Sequence, residues 1–373
     1  MFHPFEIAFC GLSGSGKTTL ATEVIRHFRL KGDEPAYYKH GCHHFDIDRE
    51  GKDSFLARQA GAALVMISDP GKEAIIAEAP GTLSNASTLL SCDMLMIEGL
   101  KELKIPKLLL VDAGRAILPL MENGTVSQVL GLVHDGNSDG LDNYGLPLFC
   151  RDDVPGIAAF IERCLADRAA EVPLNGLVLA GGLSSRMGTD KALLSYHPEN
   201  QLVTTAALLS CTCGEVFISC RQEQAATYCT FGYPVITDSY LDMGPMGGLL
   251  SAQRHAPDAA WLVAACDLPF ICADTINALL SNRDPFRYAT GFMSPESGRP
   301  EPLLTIYEPK SRQALLRQHS LGNDSLSSFL QLSRAVLIKP VNPGSITNVN
   351  DKDQMDAAKK AIHSSRCSPR NPE

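Results

Sequence analysis

The chain has 373 residues, 45% of them apolar and 20% charged, the balance of a globular protein with room for two domains. A net charge of −9 excludes the basic footprint that nucleic acid requires, so no nucleic-acid partner is expected. No apolar run approaches the roughly 20 residues of a membrane span, the first residues carry no basic leader, and twelve cysteines without a secretory signal predict reduced thiols and a cytoplasmic location.

Phe5-Glu6-Ile7-Ala8-Phe9-Cys10 reads as a buried strand. Gly11-Leu12-Ser13-Gly14-Ser15-Gly16-Lys17-Thr18 comes next, a full match to G-x-x-x-x-G-K-[ST]. A helix is predicted over 17–30, with Leu20, Val24, Ile25 and Phe28 on one side and Gly32 as its stop. Strand, glycine loop and helix are the context a phosphate cradle needs, because loop amides and the helix N-terminus both face an anion. Gly11, Gly14, Ser15, Gly16, Lys17, Thr18 and Thr19 are the expected nucleotide-binding residues. Lys17 would pair with the β- and γ-phosphates, and Thr18 would place its hydroxyl on Mg²⁺.

Lys39-His40-Gly41-Cys42-His43-His44-Phe45-Asp46-Ile47-Asp48 crowds polar ligands together without a structural zinc spacing, and reads as a loop facing the nucleotide with Asp46 or Asp48 near the metal. Buried strands are predicted at 62–67, 93–98 and 107–112, and a closing helix at 155–165. The alternation of helices with apolar strands predicts a parallel α/β sheet. Glu98, at the C-terminal end of its strand, is the candidate for orienting Mg²⁺ or water. No Asn-Lys-x-Asp element is present, so no motif gives the base preference.

The loop, Lys39-His40 with His43, Gly51-Lys52-Asp53-Ser54, Ala60-Gly61-Ala62, Ile97-Glu98-Gly99-Leu100-Lys101 and Pro106-Lys107 occur in one order. Over residues 4–165 this resembles the GTP-binding adaptor family of molybdopterin guanine dinucleotide biosynthesis. The resemblance implies GTP binding, weak hydrolysis at most, and assistance to a guanylyltransferase. After Lys107 the family carries a short basic strand ending, whereas Leu108-Leu109-Leu110-Val111-Asp112 is apolar and then acidic.

The polar segment 166–173, ending in Pro173, is the expected linker, which places domains at 1–165 and 174–365 and a flexible tail at 366–373. In the second domain, strands are expected from 176 to 179 and at 216–219, 234–237, 261–265 and 303–307, with a closing helix at 351–363. The first of these strands runs into Leu179-Ala180-Gly181-Gly182-Leu183-Ser184-Ser185-Arg186-Met187-Gly188-Thr189-Asp190-Lys191. The glycines of this loop let amides approach phosphates, while Arg186 and Lys191 neutralise charge. Asp238 and Asp267 each stand after a strand, so all three features are expected at one sheet edge. The chemistry predicted from them is nucleotidyl transfer, with Asp267 as the Mg²⁺ ligand and Lys191 and Arg186 holding the triphosphate. Gly244-Pro245-Met246-Gly247-Gly248 reads as a further loop for close backbone approach. Pro300-Glu301-Pro302-Leu303 and Asn348-Val349-Asn350 read as a turn or a helix cap.

These segments, with Cys266-Asp267-Leu268-Pro269-Phe270, look like the molybdenum cofactor guanylyltransferase family over 174–365. The resemblance implies that Leu179, Ala180, Gly181, Gly182, Lys191, Asp238 and Asp267 bind GTP. Some relatives place asparagine where Cys220 stands, which puts one guanosine contact in question. The fold expectation is α/β in two domains, an N-terminal P-loop NTPase-type parallel sheet and a C-terminal Rossmann-like nucleotidyltransferase sheet. The functional expectation is a fused protein using Mg²⁺, GTP and Mo-molybdopterin, with molybdoenzymes or their chaperones as partners, no membrane, and room for a homodimer through the N-terminal domain. A cytidylyltransferase for the same cofactor, and a P-loop GTPase or metallocofactor-delivery module without transfer activity, are the alternatives.

Overall fold

Strand β1 (Glu6–Cys10) is buried along its whole length, so its backbone must be paired on both edges. Strand β5 (Met94–Glu98) lies parallel to it on one side and β6 (Lys107–Leu110) on the other. Beyond them β2 (Pro35–Lys39), β7 (Val129–His134) and β8 (Leu148–Cys150) complete the order β2-β5-β1-β6-β7-β8, with every pair parallel. Such sheets favour continuous apolar strands, which is how β1, β5 and β6 read. The computed structural model describes residues 3–40, 50–62, 64–77, 88–181, 193–194, 196, 199–349 and 352–367. It divides into Met1–Arg168 and Ala169–Glu373.

The helix Lys17–Leu30 has its predicted bounds and buries Leu20, Ala21, Val24 and Phe28, which recur along one face. Gly32 then takes the left-handed conformation. The strand expected at 62–67 is corrected. Strands β3 (Leu64–Asp69) and β4 (Lys72–Ala77) form a two-stranded antiparallel sheet of their own, and β3 is largely exposed. Asp69 Oδ1 accepts the N–H groups of Gly71 and Lys72, closing the turn at 2.7 and 2.9 Å. An apolar run does not by itself distinguish a core strand from an exposed hairpin; Asp69-Pro70-Gly71 was the turn signal that did.

The helix Val154–Ala170 continues through most of segment 166–173, because Leu165 and Ala169 are buried apolar positions one helical turn apart. The chain enters β9 (Leu174–Leu179) four residues later.

The second unit holds a seven-stranded mixed sheet. It uses β9, β10 (Val216–Cys220), β11 (Val235–Thr237), β12 (Ala260–Ala265), β13 (Ala289–Met293), β14 (Pro300–Tyr307) and β15 (Val336–Ile338), in the order β11-β10-β9-β12-β14-β13-β15. Strands β9 to β12 are parallel, and β14 runs antiparallel to both its neighbours. Residue alternation divides the core. Val178, Leu262, Ala264 and Ile306 pack with the helices Gln201–Ser210 and Ala273–Ser281. Leu177, Trp261, Val263 and Tyr307 pack with the helices Pro245–His255, Ser311–Ser320 and Leu326–Leu332. Pro300 to Leu303, expected as a turn, instead opens β14. The helix Lys352–Cys367 runs past 363 and takes in 366–367 of the expected tail, whose remainder lies outside the described residues. Among the described residues no helix is long and apolar enough to cross a membrane.

Because β10 and β11 extend to one side of β9 and β12 lies on the other, the strand order reverses at β9. The C-terminal end of β9 is therefore a topological switch point, where open α/β sheets form a crevice.

Candidate functional site

In the first unit, residues 11–16 bridge the end of β1 and the start of the helix Lys17–Leu30. Gly14 and Gly16 take φ of +77° and +86°, a conformation that residues with a Cβ rarely adopt. A Cβ on Gly11 would lie 2.6 Å from Ser15 Oγ and 2.8 Å from the Leu110 carbonyl oxygen. The residue at the helix N-cap is Gly16, which has no side chain to cap with, so among the described residues the first amides are left for an anion. Ser15 Oγ is buried with no hydrogen bond among the described residues. Lys17 Nζ donates to the Leu12 carbonyl at 2.6 Å, back across the loop.

Glu98 ends β5 directly beside this loop, in register with Phe9 on β1 and Lys39 on β2. Thr18 Oγ1 lies 2.9 Å from each of its carboxylate oxygens, Tyr37 donates its hydroxyl at 2.5 Å, and Lys39 Nζ pairs at 3.2 Å. Burial pushes the Glu98 carboxyl up, but the hydrogen bonds from Tyr37, Thr18 and Lys39 outweigh it and hold the group below the usual glutamate range. A threonine hydroxyl and a carboxylate are hard oxygen donors, the type Mg²⁺ prefers. Tyr37 is a partner that the sequence did not reveal, although it lies two residues before Lys39.

In the second unit, Leu179 ends β9 with Ser219 opposite it on β10 and Ala265 on β12. The ladder runs one residue further. Ala180 N–H donates to the Ser219 carbonyl at 2.9 Å, and Asp238 N–H to the Cys220 carbonyl at 3.0 Å. Ser219 Oγ donates to Asp238 Oδ1 at 2.9 Å. A Cβ on Gly181 would stand 3.4 Å from Asp238 Oδ2. Leu179, Ala180, Gly181 and Asp238 are thus gathered at one point. Burial raises the Asp238 carboxyl above its usual range against the opposing Ser219 hydrogen bond and Arg221 charge.

Asp267 stands past β12 on the other flank, and its carbonyl accepts the Val349 N–H at 2.8 Å. Burial, together with the charge of Asp267, pushes Tyr196 up to about 12. Glu301 is raised too, first by burial and then by Asp267. Its Oε1 accepts Leu303 N–H at 2.9 Å and its Oε2 accepts Asn348 Nδ2 at 3.3 Å. Glu301, Asn348 and Tyr196 therefore belong to the surroundings of Asp267. The Pro300-Glu301-Pro302-Leu303 and Asn348-Val349-Asn350 segments were visible in the sequence, but nothing in their spacing said that they meet.

The Gly244-to-Gly248 segment serves the protein's own packing. A Cβ on Gly247 would fall 2.2 Å from the Tyr240 carbonyl oxygen, and one on Gly248 would fall 2.6 Å from Ser219 Oγ. Bare backbone at the start of the helix Pro245–His255 is what lets it close on the Asp238 side of the crevice. Gly182, Arg186 and Lys191 lie outside the described residues, as do Cys42, His43, Asp46, Asp48 and Asn350. Among the described residues no three His, Cys, Asp or Glu side chains gather into a ready metal cage. A single carboxylate such as Asp267 still suits Mg²⁺, which is commonly bound by one or two carboxylates plus substrate phosphates.

Two family models match the chain: "MobA-like NTP transferase domain" over residues 176–336 and "Molybdopterin guanine dinucleotide synthesis protein B" over 6–134. The "Molybdenum cofactor biosynthesis bifunctional protein" of Synechocystis sp. is 34% identical over 186 residues, 49% of this chain and 53% of that protein. In that match the chain spans about half the relative's length. The "Molybdopterin-guanine dinucleotide biosynthesis adapter protein" of Escherichia coli is 31% identical over 162 residues, 42% of this chain and 90% of the other. The "Probable molybdenum cofactor guanylyltransferase" of Pelotomaculum thermopropionicum is 33% identical over 148 residues, 39% of this chain and 69% of the other.

Proposed function

We propose a function on the premise that this chain belongs to two families, that of the molybdopterin-guanine dinucleotide biosynthesis adapter in its first unit and that of molybdenum cofactor guanylyltransferase in its second. The second unit transfers GMP from GTP to the terminal phosphate of Mo-molybdopterin, and the first unit binds GTP and assists. What supports the reading is that Leu179, Ala180 and Gly181 stand beside Asp238 at the switch point of one sheet, with Asp267 two residues past the end of the strand that pairs with β9 on its other side.

A phosphate oxygen of the acceptor attacks the α-phosphorus of GTP, the bond from that phosphorus to the bridging oxygen breaks, and pyrophosphate leaves. A terminal phosphate is already anionic near neutral pH, so no general base has to be found for it. The demand on the site is for positive charge and directed amides where negative charge concentrates. The backbone of residues 179–182 meets the phosphates, and Arg186 and Lys191 hold the triphosphate and the departing pyrophosphate. Asp267 would hold Mg²⁺, which supplies charge neutralisation to the phosphoryl oxygens when bound. Asp238, its neutral form favoured by burial, lines the nucleotide side of the crevice beside Gly181.

In the first unit, residues 11–19 receive the phosphates of GTP, with Thr18 and Glu98 on the metal side. Tethering this unit to the transferase keeps its local concentration high. Molybdoenzymes or their chaperones receive the product, and the protein works in the cytoplasm, as a homodimer through the first unit. The test is incubation of the full chain with Mo-molybdopterin, Mg²⁺ and each nucleoside triphosphate in turn, with products identified by mass. A guanine dinucleotide formed with equimolar pyrophosphate is expected. Turnover with CTP alone would reassign the chain as a cytidylyltransferase, and nucleotide binding without pyrophosphate release would leave only a binding module.

A further inference from the structure

Arg151 stands one residue past β8, at the same C-terminal sheet edge as the glycine loop of residues 11–16. Its backbone N–H donates to the His134 carbonyl at 2.8 Å, which anchors it as a continuation of the β7–β8 ladder. Strands β6 and β7 separate β8 from β1, yet the arginine side chain lies against the loop. A Cβ on Gly16 would be 3.1 Å from both Arg151 Cδ and Nη1, and 3.6 Å from Nε. The guanidinium therefore occupies the space beside the residue that opens the helix Lys17–Leu30, and a side chain at position 16 would displace it.

The charges around the loop are unequal in their commitments. Lys39 is paired with Glu98 at 3.2 Å. Lys17 donates to a loop carbonyl, and Arg151 has no acidic partner among the described residues. A triphosphate carries more negative charge than one lysine neutralises. A guanidinium suits the remainder, because its planar fork can bond two phosphate oxygens at once. If Arg151 served only to pack on Gly16, its aliphatic stem would be enough.

We propose that Arg151 is a second cationic ligand for the phosphates of the nucleoside triphosphate held by the first unit's glycine loop. The proposal rests on the reading of that loop as a GTP site. Arg151 arrives from the far side of the sheet, while Lys17 arrives from the helix, so the two cations approach the phosphates from different elements.

The test titrates a fluorescent GTP analogue into the full chain and into Lys17→Ala, Arg151→Met and Arg151→Lys. The binding component lost in Lys17→Ala defines the loop's site and separates it from binding in the second unit. Arg151→Met preserves the stem against Gly16 and removes the charge. It is expected to weaken the loop component by about 10- to 100-fold, the worth of a charge-assisted hydrogen bond or two. Arg151→Lys should fall between Arg151→Met and the wild type, and the loss should be larger for GTP than for GMP. Unchanged loop affinity in Arg151→Met overturns the proposal. An equal loss for GTP, GMP and guanosine also overturns it, by moving the contact to the base or ribose. If Arg151→Met does not fold, Arg151→Gln removes the charge in its place, and unchanged loop affinity there overturns the proposal. If Lys17→Ala loses no component, the loop is not a GTP site and the proposal falls with that reading.

Discussion

Thr18 Oγ1 stands 2.9 Å from both oxygens of the Glu98 carboxylate, joining the first helical turn after the glycine loop to the end of a strand 80 residues later. The pairing is a consequence of the sheet order. Strand β5 lies next to β1, so its last residue faces the segment that continues from β1, and that segment is the glycine loop. Strand β2 on the outer side adds Tyr37 and Lys39 to the same carboxylate.

Glu98→Ala should lower the stability of the first unit at neutral pH by roughly 1–3 kcal/mol, since three donors lose a charged acceptor. The pH dependence has a definite sign. The folded state holds this carboxyl below its ordinary range, so its contribution is present above the ordinary glutamate value of about 4.3 and is lost as pH falls through the lowered value. Urea unfolding of wild type and variant, from neutral pH into the acid range, should show the gap closing. A gap that stays constant would mean that the ionised carboxylate contributes nothing specific.

Asp238→Asn should behave oppositely. Burial raises this carboxyl, so its favourable contribution is complete below the ordinary aspartate value of about 4 and is lost as pH rises through the raised value. Asparagine keeps an oxygen to accept from Ser219 and carries no charge to desolvate. The variant should therefore gain stability relative to wild type across that window and hold the gain above it. Denaturant midpoints at several pH values decide it; a difference independent of pH would show that the carboxylate is not penalised by its surroundings.

The first glycine loop, its helix and Glu98 were legible in the sequence because all three rest on local pattern: a loop with a fixed spacing, a 3.6-residue period and an apolar run ending in an acid. The strand-end placement of Asp238 and Asp267 was legible for the same reason. Strands β2, β4, β7, β8, β13 and β15 were missed. Pro35-Ala36-Tyr37-Tyr38-Lys39 is too mixed to read as buried, and β8 and β15 are three residues each. The Glu301–Asn348 contact spans 47 residues and depends on β14 running antiparallel beside β12, which no local period encodes. Arg151 had no local signal at all. It reads as one charge after a short strand, and only the sheet order brings it to Gly16.

The second unit should fold and turn over alone when expressed from residue 171. All seven strands of its sheet, and every proposed transfer residue, lie beyond that point. Starting at 174 would remove Pro173, whose carbonyl accepts the Ala260 N–H at 2.8 Å at the start of the central strand pair. Cooperative unfolding together with pyrophosphate release from GTP and Mo-molybdopterin is the expected outcome. A folded fragment without turnover would show that the transfer chemistry needs the first unit.

Asp267→Asn separates a metal ligand from a structural strand end. The protein's latch at this position uses the Asp267 main-chain carbonyl, which accepts Val349 N–H, so replacing the carboxylate leaves that bond in place. Stability should change little, and the relief of charge should let Tyr196 and Glu301 relax downward toward their usual ranges, since Asp267 contributes to raising both. Mg²⁺-dependent pyrophosphate release should fall by about 10²–10³, the scale of one electrostatic contributor to a charged transition state. Thermal melting and turnover are measured on the same preparation. If the variant melts early but turns over normally, the carboxylate is structural. The metal would then have to be held elsewhere on the edge, and Asp238, 3.4 Å from where a Gly181 side chain would begin, is the carboxylate already placed beside the phosphate loop.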